Sequence, residues 1–396
     1  MRHEITRIFH PVGQGAFYSE RHFVDGQRFN IVYDCGCMAI RNGKKVVEEA
    51  FDKKEIIDIL FISHFDYDHI SLIPVLINKC QIRKVVLPLL HEEVRLVLSG
   101  YYRMVRDRRL RYQYEMSLQL LNNPQEFFNG GREVYDKVKL VFVRPYPESE
   151  VKDNLEKSNN MDMEENFAKS QRGVIVESLS EKDARGLGTF ADWMFLPYNM
   201  DYYHRNKNLL RNLSDWLNQN NYSLQDLNNE KFYEKLFCND NHRRRLAQIY
   251  RNLKGAINEN SMLLFSGPMQ RQNQCEMKLM SRVHSPILWF FESCFNRQPG
   301  CLYSGDFNLK HESLSISYGF YFDRIGTVQI PHHGSNKSFD LKNFCAKGMV
   351  CPVSYGVNNR FRHPHETVID KIVGAGGCPV CVTNDRFSEF KEIIWL

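Results

Sequence analysis

Apolar residues in this chain fall into short runs that stop abruptly at Gly, Pro, Asp or His. Runs of that length, alternating or continuous in Val, Ile, Leu and Phe, read as strands, the continuous ones buried on both faces. They predict strands over residues 5–10, 30–34, 57–62, 84–88, 138–143, 192–196, 261–265, 301–304, 327–331, 350–354 and 379–383. Helical spacing fills several gaps between them, notably 71–78 and 91–121. Strands interleaved with helices predict a layered α/β fold. Two stretches interrupt that rhythm. Residues 201–256 are polar, yet Leu209, Leu210, Leu213, Trp216 and Leu217 recur at helical spacing, so the segment reads as inserted helices with one buried face. Residues 267–300, with the aromatic run Trp289-Phe290-Phe291, read as a second helical insertion. Residues 147–168 are acidic and rich in Asn and read as a loop. No repeat is visible, and the 396 residues are read as a single domain over 1–396.

The chemistry begins where one apolar run ends. Ile56 to Ile62 is followed at once by Ser63-His64-Phe65-Asp66-Tyr67-Asp68-His69. His64, Asp66, Asp68 and His69 therefore gather at the C-terminal end of a predicted buried strand. Burying such groups unpaired is costly, so coordination to a metal is the least expensive way to satisfy them. Imidazole with carboxylate is a zinc ligand set, or one for manganese or iron where carboxylates dominate.

This run resembles the His-X-His-X-Asp-His motif of the metallo-β-lactamase superfamily, with Asp66 in place of the second His. That variant is similar to the branch containing the soluble domain of the DNA-uptake protein ComEC. Further segments in the same order support it: Val12-Gly13-Gln14-Gly15, Ile31-Val32-Tyr33-Asp34-Cys35-Gly36, Asn260-Ser261-Met262, Tyr303-Ser304-Gly305-Asp306, Ile330-Pro331-His332-His333-Gly334-Ser335 and Asn359-Arg360-Phe361-Arg362-His363-Pro364-His365. The resemblance implies an αββα sandwich with the metal site at one open edge.

It also implies a site holding two zinc ions, with manganese as the alternative. His64 and Asp66 are assigned to one ion, Asp68 and His69 to the other, and Asp306 to a bridge between them. His333 completes the second ion, with His332 as the alternative ligand. The superfamily usually supplies a further His to the first ion. Asn260 and Ser261 stand in the related strand instead, and His204, His242 and His284 qualify only by residue type. A one-ion site therefore stays open. Asp34 is expected behind the ligands, accepting a proton from a ligand histidine, or else as a strand-ending turn residue. Asp68, His332, His363 and His365 are the candidate catalytic residues, the last two as phosphate ligands or a general acid, or otherwise as a polar loop before a helix. Ser335 could donate to a phosphate or cap the following helix.

Composition adds limits. Hydrophobic residues make up 43% of the chain, which is globular rather than disordered. No apolar run approaches membrane-spanning length, and the start Met1-Arg2-His3-Glu4 has no apolar leader pattern. Those features and the odd count of 11 cysteines predict a cytoplasmic protein with reduced thiols and no membrane partner. Cys378-Pro379-Val380-Cys381 is a lone CxxC with apolar neighbours and reads as core thiols, as do Cys35 and Cys37. A net charge of +5 permits a polyanionic partner. Arg and Tyr cluster at 101–112, and Arg243-Arg244-Arg245 forms a second cationic run. With Arg360, the second run is a candidate nucleic-acid contact; the alternative is a solvated helix face. The expected function is a metal-dependent hydrolase using a metal-bound hydroxide, foremost a phosphodiesterase or nuclease. The alternatives are a hydrolase of a small ester, lactone or thioester, or a metal-binding subunit that docks a partner protein through its helical insertions.

Overall fold

The computed structural model describes residues 2–104, 108–130, 138–145, 174–176, 189–200, 203–251, 261–272, 275–283, 298–310, 318–344 and 347–396. Two mixed sheets lie face to face. The first runs in the order β11 (Glu276–Met280), β16 (Phe390–Trp395), β1 (His3–Phe9), β2 (Phe17–Val24), β3 (Gln27–Cys35), β4 (Ile56–Phe61), β5 (Gln81–Pro88), β6 (Lys139–Val143), β7 (Val174–Val176). The second runs β15 (Cys378–Val382), β14 (Val350–Ser354), β13 (Ile325–Val328), β12 (Gly300–Tyr303), β10 (Leu263–Pro268), β9 (Trp193–Tyr198), β8 (Thr189–Phe190). Each sheet is part antiparallel and part parallel; β3–β4–β5 and β12–β13–β14 are parallel stretches.

Between the sheets lies an apolar layer that includes Phe9, Tyr33, Phe61, Phe195 and Tyr303. Outside the first sheet, α1 (Ile40–Ala50), α2 (Tyr67–Ile70), α3 (Ile73–Lys79), α4 (Glu92–Arg103), α5 (Arg108–Asn122) and α6 (Pro124–Asn129) flank a second core. Outside the second sheet, the helix Glu366–Gly374 buries Val368 and Ile372. The layers are α, β, β, α, as expected from the sequence.

Every predicted strand is present. The strands the pattern missed include β2 and β16, and they share a cause. Each carries a glutamate at a core position, Glu20 and Glu392, which breaks the apolar signal. Both carboxylates bind Arg7 of β1, at 2.7 and 2.5 Å, with all three side chains fully buried. Ser266 and Tyr303 donate to Glu20, and Thr327 donates to Glu392. This network joins the two sheets and leaves no carboxylate unpaired. The β2–β3 turn is Asp25-Gly26, both at positive φ (47° and 83°), the two-residue geometry that follows strand twist.

The first insertion is helical: Tyr203–Gln219, a 3₁₀ turn at Leu224–Asn228, Glu230–Cys238 and Asp240–Arg251. Leu210, Leu213, Trp216 and Leu217 share a core with Val97 of α4. The second insertion departs from expectation. Its residues Glu276–Met280 form β11, paired with β16, and exposure alternates with period two, not the helical period. The aromatic run 289–291 and the acidic stretch 147–168 lie outside the described residues. Cys35, Cys37 and Cys378 are buried free thiols, and Cys381 is half-buried. No described helix is long and apolar enough to cross a membrane.

Candidate metal centre

The site residues follow the C-terminal ends of strands. Asp34 closes β3, Ser63 and His64 follow β4, and Asp306 follows β12. His332 and His333 follow β13, and the loop bearing His363 and His365 follows β14. Clustering at strand C-termini is where open α/β sheets place ligands. The β4 loop turns directly into α2, whose backbone lies against Gly15 and Gly36. A Cβ on Gly36 would stand 2.4 Å from the carbonyl carbon of His69, so only glycine allows that approach. His332, His333 and Gly334 form a turn with φ of 50°, 55° and 78°. Two successive histidines in left-handed backbone are costly, and such strain is held by the surrounding structure.

Three imidazoles converge with the same orientation. His69 Nδ1 donates to Asp34 Oδ2 at 2.8 Å. His333 Nδ1 donates to the Ser354 carbonyl at 2.8 Å. Ser63 gives its hydroxyl proton to Asp34 at 2.6 Å, so its 2.9 Å contact with His64 is one in which His64 Nδ1 donates. Each ring thereby carries a proton on Nδ1 and turns Nε2 inward. All three Nε2 atoms are buried and make no hydrogen bond among the described residues; neither does Asp306 Oδ1. Buried polar atoms are rarely left so.

Two ligand triads result: His64, His69 and Asp306, and Asp68, His69 and His333. Asp306 Oδ1 is 3.2 Å from His69 Nε2, Oδ2 is 3.9 Å from His64 Nε2, and Asp68 Oδ2 is 3.3 Å from His333 Nε2. The residues fit a divalent ion by donor chemistry and by orphaned atoms together. The second triad is the set expected for the second ion; in the first, His69 stands where Asp66 was expected. His69 stands in both triads, and its one inward nitrogen can serve only one ion at a time. Asp66 stands in neither; its Oδ1 accepts from the Tyr102 hydroxyl at 2.8 Å. Ser261 accepts from the Asp306 N–H at 2.9 Å and lies 3.1 Å from His64 Nδ1, so it positions ligands without being one. His242 packs edge-on against Trp216 in the insertion. Asn260, His284 and the side chain of His204 lie outside the described residues.

Electrostatics match a cation-binding pocket. Burial would depress His69, but Asp306 and Asp34 raise it well above the usual imidazole value. Burial would raise Asp306, yet His332 and His69 hold it well below the carboxylate range. Asp68 is likewise lowered against its burial by His333 and His69. Burial, then Asp68, push Asp66 up to about 7, against the Tyr102 hydrogen bond. Burial, then His69, push His64 down to about 3.

His332 lies at the rim, with Nδ1 2.9 Å from Ser338 Oγ and Nε2 3.8 Å from Asp306 Oδ2. His363 is half-buried, its ring 5.9 Å from that of His332 and 6.4 Å from that of His333. Burial and those two rings push it down to about 4. His365 is exposed and bonded to Thr367. Asn359 pins the loop through the N–H groups of Phe361 and His363. Arg360 is exposed and lies over Phe361 at 4.8 Å. Ser335 Oγ accepts from the Lys337 N–H in its own turn. Arg243 is paired with Asp240 at 3.1 Å and Arg245 donates to Gln248, while Arg244 and Arg245 are exposed. Sequence reading missed Ser63 and Tyr102. Ser63 was visible beside the motif, whereas Tyr102 lies on α4, far along the chain, with no spacing signal.

No curated protein matches the chain. Among solved structures, a long-form RNase Z from yeast matches at 10% identity with a TM-score of 0.24, over 95% of this chain and 34% of that one. The chain thus spans about a third of that structure's length, and a likeness so distant says nothing of activity. The family comparison is more specific: residues 22–144, the stretch that carries Asp34, His64, Asp66, Asp68 and His69, match the metallo-beta-lactamase superfamily.

Proposed function

We propose that the protein is a divalent-metal-dependent hydrolase, and within that class a phosphodiesterase acting on nucleic acid. The observation that carries the reading is the set of three inward Nε2 atoms, each fixed by a bond at Nδ1, facing the carboxylates of Asp68 and Asp306. His64, His69, Asp306, Asp68 and His333 would hold the metal, zinc or manganese by donor type. A divalent ion there supplies Lewis acidity and an acidified water at neutral pH. The protein's own groups do the rest. Asp34, Ser63 and the Ser354 carbonyl fix the imidazole tautomers. His332 and His363, on the rim and both partly exposed, would hold a phosphate by N–H donation. Arg360 adds positive charge at the same loop.

Nucleic acid is favoured over a small ester because Arg360, beside the imidazole-lined rim, would neutralise the charge that a phosphodiester carries. Labelled single- and double-stranded DNA and RNA, incubated with the protein in Zn²⁺, Mn²⁺ or Mg²⁺, test the reading. Metal-dependent cleavage of one polymer is expected. Hydrolysis of lactone or thioester substrates with every polymer left intact would replace it.

A further inference from the structure

Helix α4 reaches the motif carboxylate Asp66 through the Tyr102 hydroxyl. Tyr102, near the C-terminal end of α4, is 3% exposed and donates to Asp66 Oδ1 at 2.8 Å. Tyr101 of α4 and Tyr114 of α5 pack around it with tilted rings, their centroids at 5.7 and 5.9 Å. The opposite side of α4 belongs to the insertion. Val97 sits in its core, and the Tyr250 hydroxyl donates to the Val97 carbonyl at 3.2 Å. Gly100 makes room for that contact, since a Cβ there would stand 2.2 Å from the Tyr250 oxygen. One helix is therefore gripped by the insertion on one side and holds a motif carboxylate on the other.

Asp66 stands where the superfamily motif has histidine, and an aspartate there needs outside help. A histidine can be fixed by a bond at its rear nitrogen, as His64, His69 and His333 are. A carboxylate is shorter and rotates, and a bond to one oxygen fixes its plane. We propose that Tyr102 is a positioning residue that orients Asp66 toward the metal. The inference rests on the metal-centre reading above and adds to it a residue outside the motif.

Competition with a chromophoric chelator measures Zn²⁺ affinity in the wild type, Tyr102→Phe, Tyr250→Phe, Asp66→Asn and the Asp66→Asn/Tyr102→Phe double variant. Tyr102→Phe keeps the packed ring and should weaken binding roughly 10–100-fold, the usual effect of losing an outer partner of a ligand. Tyr250→Phe removes a hydroxyl from the same helix and should keep wild-type affinity. In the Asp66→Asn background Tyr102→Phe should add nothing, because its effect passes through that carboxylate. Wild-type affinity in Tyr102→Phe, equal losses in Tyr102→Phe and Tyr250→Phe, or additive losses in the double variant would each overturn the inference and leave the metal centre standing. A wild-type protein that binds no Zn²⁺ would overturn both.

Discussion

His69 donates from Nδ1 to Asp34 Oδ2 across 2.8 Å, and that bond turns Nε2 toward Asp306, 3.2 Å away. Asp34 also accepts from the backbone N–H and hydroxyl of Ser63, so one buried carboxylate fixes two histidines, His69 directly and His64 through Ser63. Asp34→Asn keeps the size but places an N–H donor where His69 needs an acceptor. Metal affinity should fall roughly 10–100-fold. Chelator competition measures it, and an unchanged affinity would show that the tautomer is set elsewhere.

His363 and His365 look equivalent in sequence and are not equivalent in the structure. His363 faces the site between His332 and His333; His365 is exposed and engaged with Thr367. With its pKa pushed to about 4, His363 is neutral near pH 7 and suits hydrogen bonding to phosphate rather than proton delivery. His363→Ala should slow hydrolysis about 10–100-fold, equally for a natural diester and for bis(p-nitrophenyl) phosphate. His365→Ala should change little. A loss confined to the natural diester would instead mark His363 as the acid for the leaving group.

The Arg7–Glu20–Glu392 cluster, bonded to Ser266, Tyr303 and Thr327, joins the two sheets. Arg7→Ala would strand two buried carboxylates and should cost about 3–5 kcal/mol of stability. Denaturant titration reads this directly. A loss under about 1 kcal/mol would mean that water or protonation replaces the guanidinium.

Much of this molecule was legible in its sequence because its signals are local. Continuous apolar runs ending in His, Asp or Gly located the parallel strands and their loops, and the order of motifs implied the layers. The strands β2 and β16 escaped because Glu20 and Glu392 are satisfied by Arg7, a partner that only folding supplies. At the site, the triad Asp68, His69 and His333 is the set expected for one ion, whereas His69 in place of Asp66 beside His64 and Asp306 was not legible. Sequence neighbours Asp68 and His69 share a triad with His333, while His69 also approaches His64 through Asp306. Tyr102 was illegible, since nothing local ties α4 to Asp66. The strand β11 was masked by expecting one structure throughout residues 267–300.

Acid should destabilise the protein through His10. Its Nε2 lies 2.8 Å from Ser19 Oγ, its ring stacks on Phe17, and it is 2% exposed. Burial, with Arg21 adding to it, pushes its pKa down to about 3. The unfolded chain takes up that proton near pH 6.5, so the unfolded state binds more protons below this value. Stability is full above about pH 6.5 and is lost as pH falls toward 3, by ~1.4 kcal/mol per pH unit for this one group. His10→Gln should lessen the loss between pH 6.5 and 5 by about 2 kcal/mol, read from urea titrations. Identical slopes in the two proteins would assign the acid sensitivity to other groups.

The central claim is that these histidines and carboxylates hold metal, and His69 tests it most sharply because it belongs to both triads. Elemental analysis of the wild type and His69→Ala, each loaded with Zn²⁺ and passed through a desalting column, is the measurement. The wild type should retain one to two equivalents per chain and the variant close to none, with both proteins folded by circular dichroism. Equal metal content in the two would place any bound ion elsewhere and contradict the account.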